Sequence, residues 1–356
     1  MNQDLDILQN FELQNQQNQV LSSTKLLADQ LEDVWNQSQN INTPQECYIT
    51  QHVVVCGMGG SALPARTIQS AFKTSLRGPL IVNTDFSLPH FVGPQSLVII
   101  SSYSGNTAEA LNCLYRAQSA NAKVFVLTSG GKLAEEINAG VTGLIFKTDK
   151  NPSNQPRLGL GYGIGALLAI LARCQYISLT ELEIQQALKQ MRRSLSDFAP
   201  DKLTAQNLAK SLAIKFKTQS PIIVASSHLL GAAHAMKNQV NETAKTFSAL
   251  FDLPELNHHL MEGLKHPALL KQNLKFLFLN SDLYSEEIKT RYKLTEEVVS
   301  KNEIKTETYM LEGGGRLDQV LQTIVLGTYF SYYLSFLRGE DPSQIPWVDY
   351  FKKRLQ

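Results

Sequence analysis

Cysteine is scarce: four residues in 356, at 47, 56, 113 and 174, with no CxxC pair and none set beside histidine at zinc spacing. That excludes a disulfide-stapled scaffold and a zinc ribbon, and it reads as four isolated buried thiols in a reducing compartment. Charge of one sign is lacking too. The net charge is +1 and no long Lys/Arg run occurs, so neither a nucleic-acid footprint nor a polybasic membrane patch is expected. Long hydrophobic runs are absent. The longest, "LGLGYGIGALLAILA" at 158–172, stops short of the ~20 residues a membrane span needs, and Arg157 and Arg173 flank it. It reads as a buried core helix. The opening "MNQDLDILQNFELQNQQNQ" is polar and acidic, unlike a signal peptide. His, Asp and Glu nowhere take metal-ligand spacing, so a metal-free, cofactor-free cytoplasmic protein is expected.

What is present is an alternation. Residues 1–50 are rich in Gln and Asn, with Leu21, Leu26, Leu27, Leu31, Val34 and Trp35 at rough helical spacing, the pattern of an amphipathic leading helix. Apolar β-branched runs follow at 52–56, 79–83, 96–101, 123–128 and 142–146, mostly with helical stretches between them. Continuous apolar strands alternating with helices predict a parallel sheet covered on both faces. After polar helical segments at about 180–216 the pattern restarts. "SPIIVASSHLLGAAHAMKNQ" at 220–239 mirrors "QHVVVCGMGGSALPARTIQS" at 51–70, and further strands are expected at 274–280 and 305–311. Two similar α/β domains result, with boundaries at 1–175 and 176–340 and a tail at 341–356.

Two strand-to-helix junctions carry the chemistry. In "VVVCGMGGSA", Gly57, Gly59, Gly60 and Ser61 follow a strand and open a helix, a combination that suits an anion. Taken alone it also fits G-x-G-x-x-A, with Asp85 at the end of the next strand as a ribose-binding acid, which would make an NAD-dependent oxidoreductase. The second junction, "SSYSGNTAEAL", shifts the reading. Ser102, Ser104 and Thr107 supply three hydroxyls within six residues, and Gly105 allows a tight turn. Helix capping would use one such hydroxyl. A phosphate of about −1.5 to −2 charge uses several. "GLGYGIG" at 159–165 follows no strand and reads as close helix packing, and "EGGGRLD" at 312–318 as a turn into a helix.

"SYSGNT" between strand and helix, preceded by "GMGGSA" and followed by a second α/β half, resembles the sugar isomerase (SIS) superfamily. "NPSNQPR", "NETAKTF", "DLPELNHH" and "VDYFKKRL" narrow the resemblance to the bifunctional phosphoglucose/phosphomannose isomerases, over about residues 50 to 356. The resemblance implies two flavodoxin-like three-layer αβα SIS domains with parallel sheets and a C-terminal tail folding back on a site at their junction. It implies a homodimer that interconverts glucose 6-phosphate or mannose 6-phosphate with fructose 6-phosphate by a cis-enediol proton transfer. Gly59, Gly60, Ser61, Ser102, Ser104 and Thr107 would bind the phosphate.

Moving a proton between C2 and C1 needs a base, a stabiliser for the enediolate oxygens and help in opening the ring. The resemblance puts the base at Glu242; by residue type alone, Glu242 and Lys245 also read as a surface ion pair. Arg157 would steady the enediolate. A cation beside the start of helix 158–172 is disfavoured unless an anion sits there. His258 matches the family's ring-opening histidine, supplied in relatives from the other subunit. His259 stands where the family has Asn and Leu260 where it has an acid, with Glu262 nearby. Lys352, after Phe351, matches the tail lysine; by position alone, Lys352 and Lys353 are also a basic last turn. Rival readings are a non-catalytic sugar-phosphate sensor and an amino-sugar isomerase.

Overall fold

A computed structural model describes residues 4–355. The chain divides into two compact units. The first is Leu26–Leu188; the second joins the residues up to Lys25 with those from Lys189 onward. This division differs from boundaries at 175 and 340, because the leading helices are shared out between the two units.

The first unit is built on five parallel strands in the order β2-β1-β3-β4-β5, where β1 is His52–Cys56, β2 Leu80–Asn83, β3 Ser96–Ser102, β4 Lys123–Thr128 and β5 Gly143–Ile145. All five expected strands are found. β1 and β3 are central, and Val53–Cys56 and Leu97–Ile100 are buried throughout, as strands covered on both faces must be. Around them lie α3 (Leu27–Gln37), α4 (Leu63–Ala71), α5 (Ala108–Ser119), α6 (Gly131–Asn138) and α7 (Leu160–Arg173); the chain starts with α1 (Leu8–Asn18) and α2 (Val20–Lys25). The apolar run is α7, buried as expected. Its glycines are where neighbours press closest. A Cβ at Gly161 or Gly165 would lie 2.3 or 2.6 Å from carbonyl oxygens of α3, and one at Gly163 would lie 2.6 Å from Pro64 of α4.

Cys47 and Cys174 are joined by a disulfide across 127 residues of chain. This corrects the expectation of four isolated thiols: Cys47 sits in the lead-in to β1 and Cys174 just after α7, partners that sequence spacing does not reveal. Cys56 and Cys113 are free and buried.

The second unit has four parallel strands in the order β7-β6-β8-β9, with β6 Ser220–Ser226, β7 Ala249–Leu253, β8 Leu274–Asn280 and β9 Lys305–Met310. Its helices are α8 (Glu181–Asp197, which contains the unit boundary), α9 (Leu208–Lys215), α10 (Leu230–Thr243), the single turn α11 (Leu270–Asn273), α12 (Glu286–Lys301), α13 (Arg316–Arg338) and the tail helix α14 (Pro346–Leu355). α13 is long and apolar enough to cross a membrane by length and composition, but that stretch is wholly buried inside the fold. It is a core helix.

Residues before α3 serve this unit. Phe11 of α1 is fully buried, its ring centroid 4.9 Å from Phe336, 5.5 Å from Tyr333 and 6.0 Å from Tyr332. The Asp6 carboxylate accepts from the Thr204 N–H and hydroxyl at 2.8 Å each and from the buried Lys210 ammonium at 3.3 Å. Lys210 also donates to the carbonyls of Pro200 and Lys202. Burial pushes the Asp6 carboxyl up, but these donors outweigh it and hold it below the usual carboxylate range.

Candidate active site

The strand order places β1 and β3 side by side with their crossovers running to opposite sides, the switch point where parallel sheets open a crevice at their carboxyl ends. Both Gly/Ser turns leave the sheet there. A Cβ on Gly57 would lie 2.8 Å from the Ser101 carbonyl oxygen, so the first turn and the end of β3 are in close backbone approach. The Tyr103 N–H donates to Ser61 Oγ at 3.1 Å, and Ser101 Oγ donates to the Ser61 carbonyl at 3.2 Å. The two turns are thus one hydrogen-bonded body.

Within the second turn, the Ser102 and Thr107 hydroxyls are 2.9 Å apart. The Gly105 N–H reaches Ser102 Oγ at 3.2 Å, and the Asn106 N–H reaches the exposed Ser104 hydroxyl at 3.4 Å. Thr107 is the N-cap of α5, yet its side chain makes no cap hydrogen bond. The first-turn N–H groups of α5 therefore receive no cap from Thr107, and such groups can receive an anion. Each hydroxyl carries one proton. The Ser102–Thr107 pair uses one of its two and keeps one to donate, and Ser61, whose oxygen already accepts from Tyr103, keeps its own.

A third turn, unnoticed in the sequence, braces the second. Ser129 donates to the Tyr103 carbonyl from both its N–H at 3.1 Å and its hydroxyl at 2.6 Å, and Thr128 Oγ1 donates to the Gly130 carbonyl at 2.8 Å. Gly105 has φ +72°, and a Cβ there would lie 1.7 Å from the Gly130 oxygen. "TSGG" at the end of β4 was the available signal.

Arg157 sits in a short 3-10 turn, Pro156–Leu158, ahead of α7. It is buried, donates to Gln155 Oε1 at 3.0 Å, and its Cα would lie 3.6 Å from a Cβ on Gly60. Its backbone therefore borders the first turn. Asn151 Nδ2 donates to the Tyr103 hydroxyl at 2.9 Å and to the Gln155 carbonyl at 3.0 Å, tying "NPSNQPR" to the second turn. Ser61, Ser101, Tyr103, Pro156 and Gly159 line a cavity of about 20 Å³, room for one water and not for a sugar.

The remaining predicted residues lie in the second unit on separate elements. Glu242 is half-buried in the last turn of α10. Lys245, just past the helix, donates to the carbonyls of Thr243 and Asp341. His258 and His259 end the turn that follows β7. Both histidines are exposed, and the His259 ring lies 6.1 Å from the Phe251 ring. The preceding Asn257 is fixed by its donation to Thr295 Oγ1 at 2.8 Å. Glu262 is on the next short turn. Lys352 is exposed on α14, none of whose residues is buried; Trp347 is 81% and Phe351 62% exposed. Among the described residues, no group of three or more His, Cys, Asp or Glu is arranged to hold a metal ion.

Comparison with known proteins agrees with this geometry. Residues 205–355 match the family described as the bacterial phospho-glucose isomerase C-terminal SIS domain. A bifunctional phosphoglucose/phosphomannose isomerase of Caldicellulosiruptor bescii is 29% identical over 92% of this chain and 96% of its own. One of Thermoplasma acidophilum is 28% identical over 85% and 89%. The crystal structure of a hypothetical protein of Thermus thermophilus superposes with a TM-score of 0.73 at 16% identity, covering 98% of this chain and 95% of that one. With the paired turns and two parallel sheets, the chain has the parallel-sheet α/β fold of these structures, and over most of its length it is similar to the bifunctional phosphoglucose/phosphomannose isomerases.

Proposed function

We propose that the chain is an aldose–ketose isomerase that interconverts glucose 6-phosphate and mannose 6-phosphate with fructose 6-phosphate. The observation that carries this reading is the Ser102–Thr107 hydroxyl pair standing over an uncapped helix N-terminus, bonded through Tyr103 to Ser61. Such an arrangement presents hydroxyl and N–H donors to a dianion without a cluster of cations. Gly59, Gly60, Ser61, Ser102, Ser104 and Thr107 take the 6-phosphate.

Glu242 removes the proton from C2 and returns it at C1, and Arg157 stabilises the enediolate that forms between. His258 and Lys352 assist ring opening. Glucose and mannose differ only at C2, so one carboxylate serves both if the intermediate rotates about C2–C3 before the proton returns. The protein acts as a cytoplasmic homodimer, and His258 works in the site of the partner copy. Lys352 joins it from a tail helix whose aromatic residues lack cover in the single chain.

Fructose 6-phosphate in heavy water tests the activity. Deuterium at C2 of both glucose and mannose 6-phosphates is the expected result. Substrate recovered unlabelled and unconverted would overturn it.

A further inference from the structure

Cys56 is the last residue of β1, and Cys113 lies in the second turn of α5. Both are buried, at 1% exposure each, in one core cluster with Val54, Ile100 and Ala110. The two thiols are neighbours around one side chain, that of Asn83. The Asn83 side-chain nitrogen lies 3.8 Å from Cys56 Sγ and 3.5 Å from Cys113 Sγ, so one amide faces both sulfurs. The Asp85 carbonyl lies 3.4 Å from Cys113 Sγ as an acceptor for its proton. The cover over this pair is thin, for residues 84–87 beyond the edge strand β2 are all exposed.

The two sulfurs differ in character. The neighbouring Cys56 thiol holds the Cys113 thiol below its usual range against the effect of burial, with Asn83 and Arg116 helping. The Cys113 thiol in turn, with burial, pushes the Cys56 thiol up. A thiolate is the nucleophile in sulfur oxidation, and a neighbouring thiol resolves the product. Cys113 Sγ touches the carbonyls of the exposed Asp85 and Phe86, which places it to attack, and Cys56 lies behind it, placed to resolve.

We propose that Cys56 and Cys113 form an oxidation site that a hydroperoxide closes to a disulfide. The Cys113 thiolate attacks the outer peroxide oxygen; the O–O bond breaks, an S–O bond forms, and the alcohol or water leaves with the proton. The Cys56 sulfur then attacks the sulfenic sulfur, the S–O bond breaks, and water departs with the Cys56 proton. In sum, two thiols and one hydroperoxide give one disulfide, one alcohol (or water) and one water. Cys56 is bonded to Gly57 and Cys113 shares α5 with its N-cap Thr107, so the closed bond ties together the strand and helix that bear the two Gly/Ser turns.

The test is hydrogen peroxide titration of the full chain, followed by alkylation and tryptic mapping without reductant. Cys113 falls in Gly78–Arg116 and Cys56 in Leu26–Arg66, a fragment that also holds Cys47. The expected product joins these two fragments, with the fragment 174–189 also attached through Cys47 in the parent chain, is cleaved by dithiothreitol, and forms equally in Cys47→Ala, where it holds the two fragments alone. In Cys56→Ala, Cys113 should stop at a sulfenic acid that dimedone captures. The proposal is overturned if Cys113 passes to sulfinic acid in the parent chain with no cross-link. It is overturned equally if neither thiol reacts until the protein is unfolded.

Discussion

The Ser102 and Thr107 hydroxyls, 2.9 Å apart, bridge the two ends of the tight turn that Gly105 makes at the end of β3. Thr107 spends its hydroxyl on this bridge and not on capping α5. Replacing it by Val keeps the shape and removes the donor. Hydrogen bonds to charged groups contribute about 1.5–3 kcal/mol, so Thr107→Val should weaken sugar-phosphate affinity roughly ten- to a hundred-fold, while turnover of bound substrate changes far less. Titration of fructose 6-phosphate against both proteins reads this directly, and equal dissociation constants would remove Thr107 from the phosphate site.

Gly105 is held at φ +72°, with the Gly130 carbonyl where a Cβ would go. Gly105→Ala must move backbone, not a side-chain tip. A loss of at least about 2 kcal/mol in stability is expected, seen as a lower urea midpoint. An unchanged midpoint would mean that the second and third turns are not packed as described.

Phe11 anchors the leading helices in an aromatic group with Tyr332, Tyr333 and Phe336. Phe11→Ala should cost about 3–5 kcal/mol and open the segment before α3 to proteolysis. Protease resistance equal to the parent's would show that α1 is dispensable.

Acid should release the same segment. The folded Asp6 carboxyl lies below its ordinary value, since its donors outweigh burial. Its contribution is therefore complete above the unfolded carboxylate pKa of about 3.9 and disappears as pH falls through the lower folded value. Asp6→Asn should flatten this part of the acid limb of the stability curve and leave the neutral region with a constant offset. An acid limb identical to the parent's would contradict the assignment.

The sequence carried the first unit better than the second. β1 and β3 are unbroken apolar runs that end in Gly and Ser, so strand, turn and switch point could all be read. The glycines of α7 were legible as close packing because they follow no strand. β7 was missed. Ala249–Leu253 is an edge strand with Asp252 inside it and no fully buried residue before Leu253, so it lacks the apolar signature of its neighbours. Cys47–Cys174 and the docking of Phe11 are contacts between distant stretches, which local pattern cannot encode. The resemblance implies a tail that folds back on the site, and the single chain leaves Trp347, Tyr350 and Phe351 of that tail exposed. The two Gly/Ser turns lie on adjacent strands and were readable together. Glu242, His258 and Lys352 lie on separate elements and were singled out by motif resemblance.

The central claim is that Glu242 moves the C2 proton, and one comparison tests it most directly. Glu242→Gln and the parent chain are each incubated with fructose 6-phosphate in heavy water, with ligand affinity measured in parallel. The account predicts that the variant binds the sugar phosphate near the parent's affinity and incorporates no deuterium at C2. Parent-level incorporation by Glu242→Gln would contradict it.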